Sequence, residues 1–123
     1  MQKFDAVVVG GGPGGYACAI RLAQNGLKAA LVEEAELGGT CLNRGCIPTK
    51  TLLHSADVYY EAKNGGAFGV TAGDVTFDYA KIIERKNAVS KQLSSGIAAL
   101  EKSHGVTVFK DRATITSRTT VAL

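Results

Sequence analysis

The chain has 123 residues, a length that suits one domain. Hydrophobic residues make up 46%, enough for a packed core, and no apolar run approaches the roughly 18 residues that span a bilayer. The net charge of +3 is too small and too dispersed to indicate nucleic acid as a partner.

Met1-Gln2-Lys3 leads straight into Phe4–Val9, which reads as a buried parallel strand. That start predicts no signal or transit peptide. The strand runs into Gly10-Gly11-Gly12-Pro13-Gly14-Gly15, where Gly10, Gly12 and Gly15 satisfy the G-x-G-x-x-G spacing. A helix is predicted from Tyr16 to Asn25, closed by Gly26. A second strand, Lys28 to Val32, ends at Glu33. In such a unit the first glycine permits the tight turn. The second lets backbone approach a pyrophosphate, and the third allows close helix–strand packing. The helix N-terminus offers N–H groups and partial positive charge to phosphates. Glu33, about 20 residues on, is placed to accept hydrogen bonds from a ribose. Strand, turn, helix, strand and acid occur in order, so the segment reads as a dinucleotide site. The plain alternative is a glycine-rich turn with no ligand. Cys18 lies inside the first helix beside small apolar residues and reads as a small buried hydrophobe.

Next comes Gly38-Gly39-Thr40-Cys41-Leu42-Asn43-Arg44-Gly45-Cys46-Ile47-Pro48-Thr49-Lys50. On one continuous helix, Cys41 and Cys46 would point about 140° apart with roughly 7.5 Å of rise. A disulfide needs Cα atoms within about 7 Å, so a bridge requires a bent or non-helical connection, which Gly45 makes possible. A C-x-x-x-x-C metal half-site is the alternative, but Cys18, His54 and His104 supply no convincing second half. A purely structural disulfide fits poorly with a chain that shows no sign of secretion. Pro48 suits the first turn of a helix that continues through Thr49–Lys63. Cys46 near that helix start would be stabilised as a thiolate, with Lys50 four residues on.

The two motifs together resemble the class I flavoprotein disulfide reductases. The run Cys-Leu-Asn-Arg-Gly-Cys-Ile-Pro-Thr-Lys is most similar to the dihydrolipoamide dehydrogenases among them. The resemblance extends from Phe4 to Leu123. It implies an α/β fold: a Rossmann-like FAD-binding βαβ unit with a parallel sheet, a long helical pair and a C-terminal β-hairpin, together an incomplete FAD domain. It implies FAD as the cofactor of the N-terminal fingerprint, with NAD held by a later one. Gly10, Gly12, Gly14 and Gly15 would line the FAD pyrophosphate. Glu33 would hold the adenosine ribose, with Glu34 beside it. Gly38, Gly39 and Thr40 would lie along the cofactor. Cys41 would be the interchange thiol and Cys46 the thiolate against the flavin. Lys50 would approach the reactive edge of the isoalloxazine, and the Ala113 backbone would meet the adenine.

The same resemblance implies a partner: dihydrolipoamide, or the lipoyl domain of a 2-oxo acid dehydrogenase or glycine cleavage complex. It further implies a homodimer and a cytoplasmic location, which a reactive dithiol suits. The chain shows neither a second fingerprint nor an interface-domain His–Glu pair, so it reads as part of a longer enzyme and as inactive alone. Glutathione-type or mercuric reductases, and a non-catalytic FAD-binding module, are the alternatives.

The remainder reads as scaffold. Asn64–Gly73, with four glycines, is a predicted loop. Asp78–Ser103 is predicted as one long helix with Ile82, Ile83, Val89, Leu93, Ile97 and Leu100 inward, antiparallel to the helix before it. His54 and His104 read as a surface residue and a helix-terminal one. Val106–Phe109 is predicted as a third parallel strand. Arg112–Ile115 and Thr120–Leu123 are predicted as a hairpin around Ser117-Arg118.

Overall fold

The computed structural model describes residues 1–123. Three consecutive valines of alternating burial and a following glycine turn set β1 at Ala6–Val9, which leads through α1 (Pro13–Gln24) to β2 (Ala29–Val32). β1 pairs with β2 in parallel, Val8 opposite Leu31. β2 pairs in parallel with β3 (Thr107–Phe109), Leu31 opposite Val108. The sheet order is β1-β2-β3, so β2 is central and all four of its residues are buried. α1 begins three residues earlier than the periodicity predicts. Pro13 fits its first position, since a proline there gives up no needed N–H. Gly26, at φ +83°, follows its C-terminal end.

Two helices follow β2. A short α2 (Gly39–Arg44), not foreseen from the sequence, is separated by Gly45 alone from α3 (Cys46–Asn64). Pro48 therefore sits in the third position of α3 and is buried. The glycine-rich loop after α3 holds one 3-10 turn at Gly65–Phe68. Next is α4 (Tyr79–Ser103), whose N-cap Asp78 accepts the Lys81 amide at 3.2 Å. Val58, Tyr59 and Ala62 on α3 share a groove with Lys81, Ile82 and Arg85 on α4. Further along α4, the Ser90 hydroxyl reaches the Leu42 carbonyl before α3 begins. The two long helices therefore run antiparallel. β4 (Thr114–Ser117) and β5 (Thr120–Ala122) form an antiparallel hairpin.

The core is the helix-covered face of the sheet: Ala19, Ala29, Leu31 and Val106, with Val8, Tyr16, Leu22, Ala23 and Leu37 packed around them. Two expectations are corrected here. Cys18 is exposed, because α1 turns Ala19 and not its neighbour into the core. The buried stripe of α4 is Ser90, Ile97 and Glu101, while Leu93 and Leu100 are 42% and 49% exposed. Ser90 and half-buried Ser94 turn inward because their hydroxyls find backbone carbonyls, which rotates the two leucines outward. No helix is long and apolar enough to cross a membrane.

Candidate functional site

The site grows from two glycine-rich segments pressed together. In the first, Gly10 adopts φ +96° and its amide donates to the Val32 carbonyl at 2.8 Å, closing β1 onto β2. A Cβ on Gly15 would overlap the Gly10 carbonyl oxygen, so only glycine lets α1 start this close to the strand. A Cβ on Gly12 or Gly14 would meet nothing within 4 Å, so the loop's outer surface is open. The first backbone bond into α1 is Tyr16 N–H to the Gly12 carbonyl, 3.0 Å. The Gly14 and Gly15 amides have no backbone acceptor. They are the unpaired donors expected at a helix N-terminus.

Glu33, at the end of β2, braces this loop. One carboxylate oxygen accepts the Gly11 amide at 2.7 Å and the other accepts the Ala35 amide at 2.8 Å. Its own N–H donates to the Phe109 carbonyl at 2.9 Å, tying it to β3. Gly10, Glu33, Glu34 and Ala113 line a single cleft of about 180 Å³, together with Val9, Val32, Asp111 and Arg112. Residues from three distant parts of the chain thus meet at the carboxyl end of the sheet.

The second glycine segment docks on the first. Gly38, at φ +98°, donates its amide to the Gly11 carbonyl at 2.8 Å. A Cβ on Gly39 would lie 2.8 Å from the Gly12 Cα. Thr40 lies exposed on α2 just beyond this contact. Cys41, on α2, and Cys46, the first residue of α3, form a disulfide with Cα atoms 4.7 Å apart. Gly45, at φ −129° and ψ −103°, breaks the helix between them, the bend that the spacing requires. Cys41 is half-buried and Cys46 is exposed. Lys50 is exposed one turn further along α3.

Residues that the sequence reading did not single out hold this elbow. The Asn43 amide donates to the Leu37 and Gly39 carbonyls at 3.1 and 3.0 Å. Ser94 donates to the Leu37 carbonyl at 2.9 Å and Ser90 to that of Leu42 at 3.2 Å. Thr51 caps back onto Ile47 at 2.8 Å. An exposed Arg44–Glu36 pair at 3.0 Å adds little in water. The available signal was two serines four apart on an otherwise apolar helical stripe. His54 is exposed, and His104 accompanies the C-terminus of α4, with Nδ1 2.8 Å from the Leu100 carbonyl.

Known proteins resemble this chain in sequence and fold. The pyridine nucleotide-disulphide oxidoreductase family pattern matches residues 4–122. A dihydrolipoyl dehydrogenase of Acholeplasma laidlawii is 53% identical over 109 residues, covering 88% of this chain and 32% of that protein. One from Chlamydia muridarum is 45% identical over 122 residues, 99% of this chain and 26% of that protein. Among solved structures, the Cu(II) complex of the HOCl-induced flavoprotein disulfide reductase RclA from Escherichia coli superposes with a TM-score of 0.77 at 30% identity. That match covers 96% of this chain and 24% of RclA. The chain spans about a quarter to a third of the length of the relatives it matches. With both motifs in place and the family pattern running nearly end to end, the chain belongs to the pyridine nucleotide-disulfide oxidoreductase family.

Proposed function

We propose that this chain is the FAD-binding, dithiol-bearing segment of a dihydrolipoamide dehydrogenase. The observation that carries this reading is the docking of the disulfide elbow on the nucleotide loop through Gly38 and Gly39. A redox disulfide is thereby fixed beside a pyrophosphate cradle. The residues present fit FAD. The Gly14 and Gly15 amides are free donors for the pyrophosphate at the positive end of α1. Each Glu33 oxygen accepts one amide and keeps lone-pair capacity for ribose hydroxyls. Glu34 and the Ala113 backbone line the same cleft, where adenosine would lie. Gly12, Gly39 and Thr40 would follow the cofactor toward Cys46 and Lys50.

The chemistry of the dithiol balances within the chain and its substrate. A thiolate of dihydrolipoamide attacks the Cys41 sulfur, forming a mixed disulfide and releasing Cys46 as a thiolate. The second substrate thiol then displaces Cys41, so the substrate leaves as a disulfide and the chain holds a dithiol. Cys46 suits the leaving role because it opens α3, where the helix dipole favours negative charge. Lys50, four residues on, adds a cation on the same side. Bound FAD supplies the two-electron acceptor that returns the pair to the disulfide. In the longer protein NAD would be the final acceptor, the enzyme a cytoplasmic homodimer, and a lipoyl domain of a 2-oxo acid dehydrogenase or glycine cleavage complex the donor.

Flavin fluorescence titration tests the reading. The chain takes up FAD, and Glu33→Ala weakens uptake by roughly 1.5–3 kcal/mol, the range for a hydrogen bond to a charged group. Glu33→Gln, which keeps one acceptor, falls between them. Equal affinity in all three would move the ribose contact elsewhere. With NAD and dihydrolipoamide added, the 123-residue chain forms no NADH above a Cys46→Ser control. It carries one glycine fingerprint, and that one is assigned to FAD.

A further inference from the structure

Glu101 has no place in that chemistry, and its setting is unusual. It is 0% exposed, and neither carboxylate oxygen has a hydrogen-bond partner. Buried carboxylates are ordinarily paired, since an unmatched charge in an apolar interior is costly. Glu101 lies on the inward stripe of α4, four residues after buried Ile97. Its own carbonyl accepts the Val106 amide at 3.0 Å, the bond that turns α4 into β3. Val106 is a core residue. The far end of β3 supplies the Phe109 carbonyl that receives the Glu33 amide.

Few charges are available to stabilise the ionised form. Burial pushes the Glu101 carboxyl above the ordinary glutamate range, and His104 opposes this when charged. The His104 ring is directed elsewhere, onto the Leu100 carbonyl and the Gln24 side chain. Lys102, next on α4, is exposed. From α1 come Tyr16, half-buried against the core, and Arg21, exposed and bonded to Gln24. β3 carries no titratable side chain. From α2, Arg44 is engaged with Glu36 at the surface, and Cys41 is in the disulfide. α3 shares its titratable groove with Lys81 and Arg85, roughly four to six turns of α4 away.

We propose that Glu101 is a proton-operated latch at the α4–β3 corner, closed when its carboxyl is neutral and loosened when it ionises. Ionisation draws the carboxylate toward water and pulls the last turn of α4 off the sheet. The Val106 amide is released first. The strain then reaches β3 and the Glu33–Phe109 bond, so the rim of the nucleotide cleft loosens with the corner. Acid closes the latch and rising pH opens it.

Amide hydrogen exchange, followed by NMR from acid to neutral pH and divided by the intrinsic rate at each pH, reads this directly. Protection at Val106 and Glu33 falls as pH rises, by up to about tenfold per pH unit while the carboxyl titrates. In Glu101→Gln the protection is independent of pH. Glu101→Leu behaves the same way and serves if the glutamine variant does not fold. His104→Gln keeps the decline. A flat profile in the unaltered chain overturns the latch, as does an undiminished decline in the Gln or Leu variant. Loss of the decline in His104→Gln alone assigns the effect to the histidine and also overturns it. The readout needs no flavin, so its failure leaves the FAD assignment untouched.

Discussion

The two faces of the β1–β2–β3 sheet are built differently. On the helix-covered face Leu31 is 0% exposed, and Ala19, Ala29 and Val106 close around it. On the other face Val7 and Val9 stay 38% and 50% exposed, and Val7 lines a cleft of about 690 Å³ between the N-terminal residues and the hairpin. Only Phe4, edge-on to Phe109 with ring centroids 5.9 Å apart, gives that side an aromatic contact. Parallel sheets are ordinarily covered on both faces. Here the first face carries the stability and positions the site. The second is loosely covered at β1 only, since Ala30 and Val32 of the central strand are 0% and 2% exposed, and its cleft shares only Val32 with the cleft around Glu33.

The sharpest way to break this comparison is Leu31→Ala. The residue is fully buried and central, so truncation costs about 2–5 kcal/mol, and thermal melting by circular dichroism shows the loss. A cost below that range would mean that the helix-covered face is not the main core.

Glu101→Leu has the next largest effect, with opposite sign. Replacing an unpartnered buried carboxylate by an apolar side chain stabilises the fold at neutral pH by about 1–3 kcal/mol. The gain depends on pH. The folded-state carboxyl titrates above its unfolded value. Its contribution is therefore fully present below the unfolded pKa and is lost as pH rises through the folded one. The gap between melts of variant and unaltered chain is smallest in acid and widens toward neutral pH. Parallel melts at every pH would remove the charge from the explanation.

Val7→Thr is the smallest. On the open face it changes stability by no more than about 0.5 kcal/mol, as for an ordinary surface position. A loss comparable with that of Leu31→Ala would show that the two faces are equally important.

Much of the site was legible from local rules. Gly10, Gly12 and Gly15 announced a tight turn, and the turn leaves open space over Gly12 and Gly14. The five-residue separation of Cys41 and Cys46 demanded a break, and Gly45 supplies it. Glu33 was placed at the end of β2 by spacing alone. What spacing could not show is that its carboxylate also braces Gly11, because that bond depends on how two segments 22 residues apart come together. α2 was missed because six residues rich in Gly, Thr and Asn carry no helical period. The face of α4 was misjudged at Leu93 and Leu100. Apolar periodicity counts leucines, whereas the packed helix turned toward carbonyls that Ser90 and Ser94 could satisfy.

By itself, the sequence determined the parallel βαβ unit, the tight glycine turn after β1 and the paired cysteines. Each depends on backbone freedom or side-chain chemistry within a few residues. Only the tertiary structure decided that Gly38 and Gly39 seat the disulfide elbow on the first loop, that Ala113 joins Glu33 in one cleft, and that Glu101 is sealed in the core without a partner. Those outcomes depend on contacts between residues far apart in the chain. Close packing settles such contacts all at once, so no short window of sequence contains them.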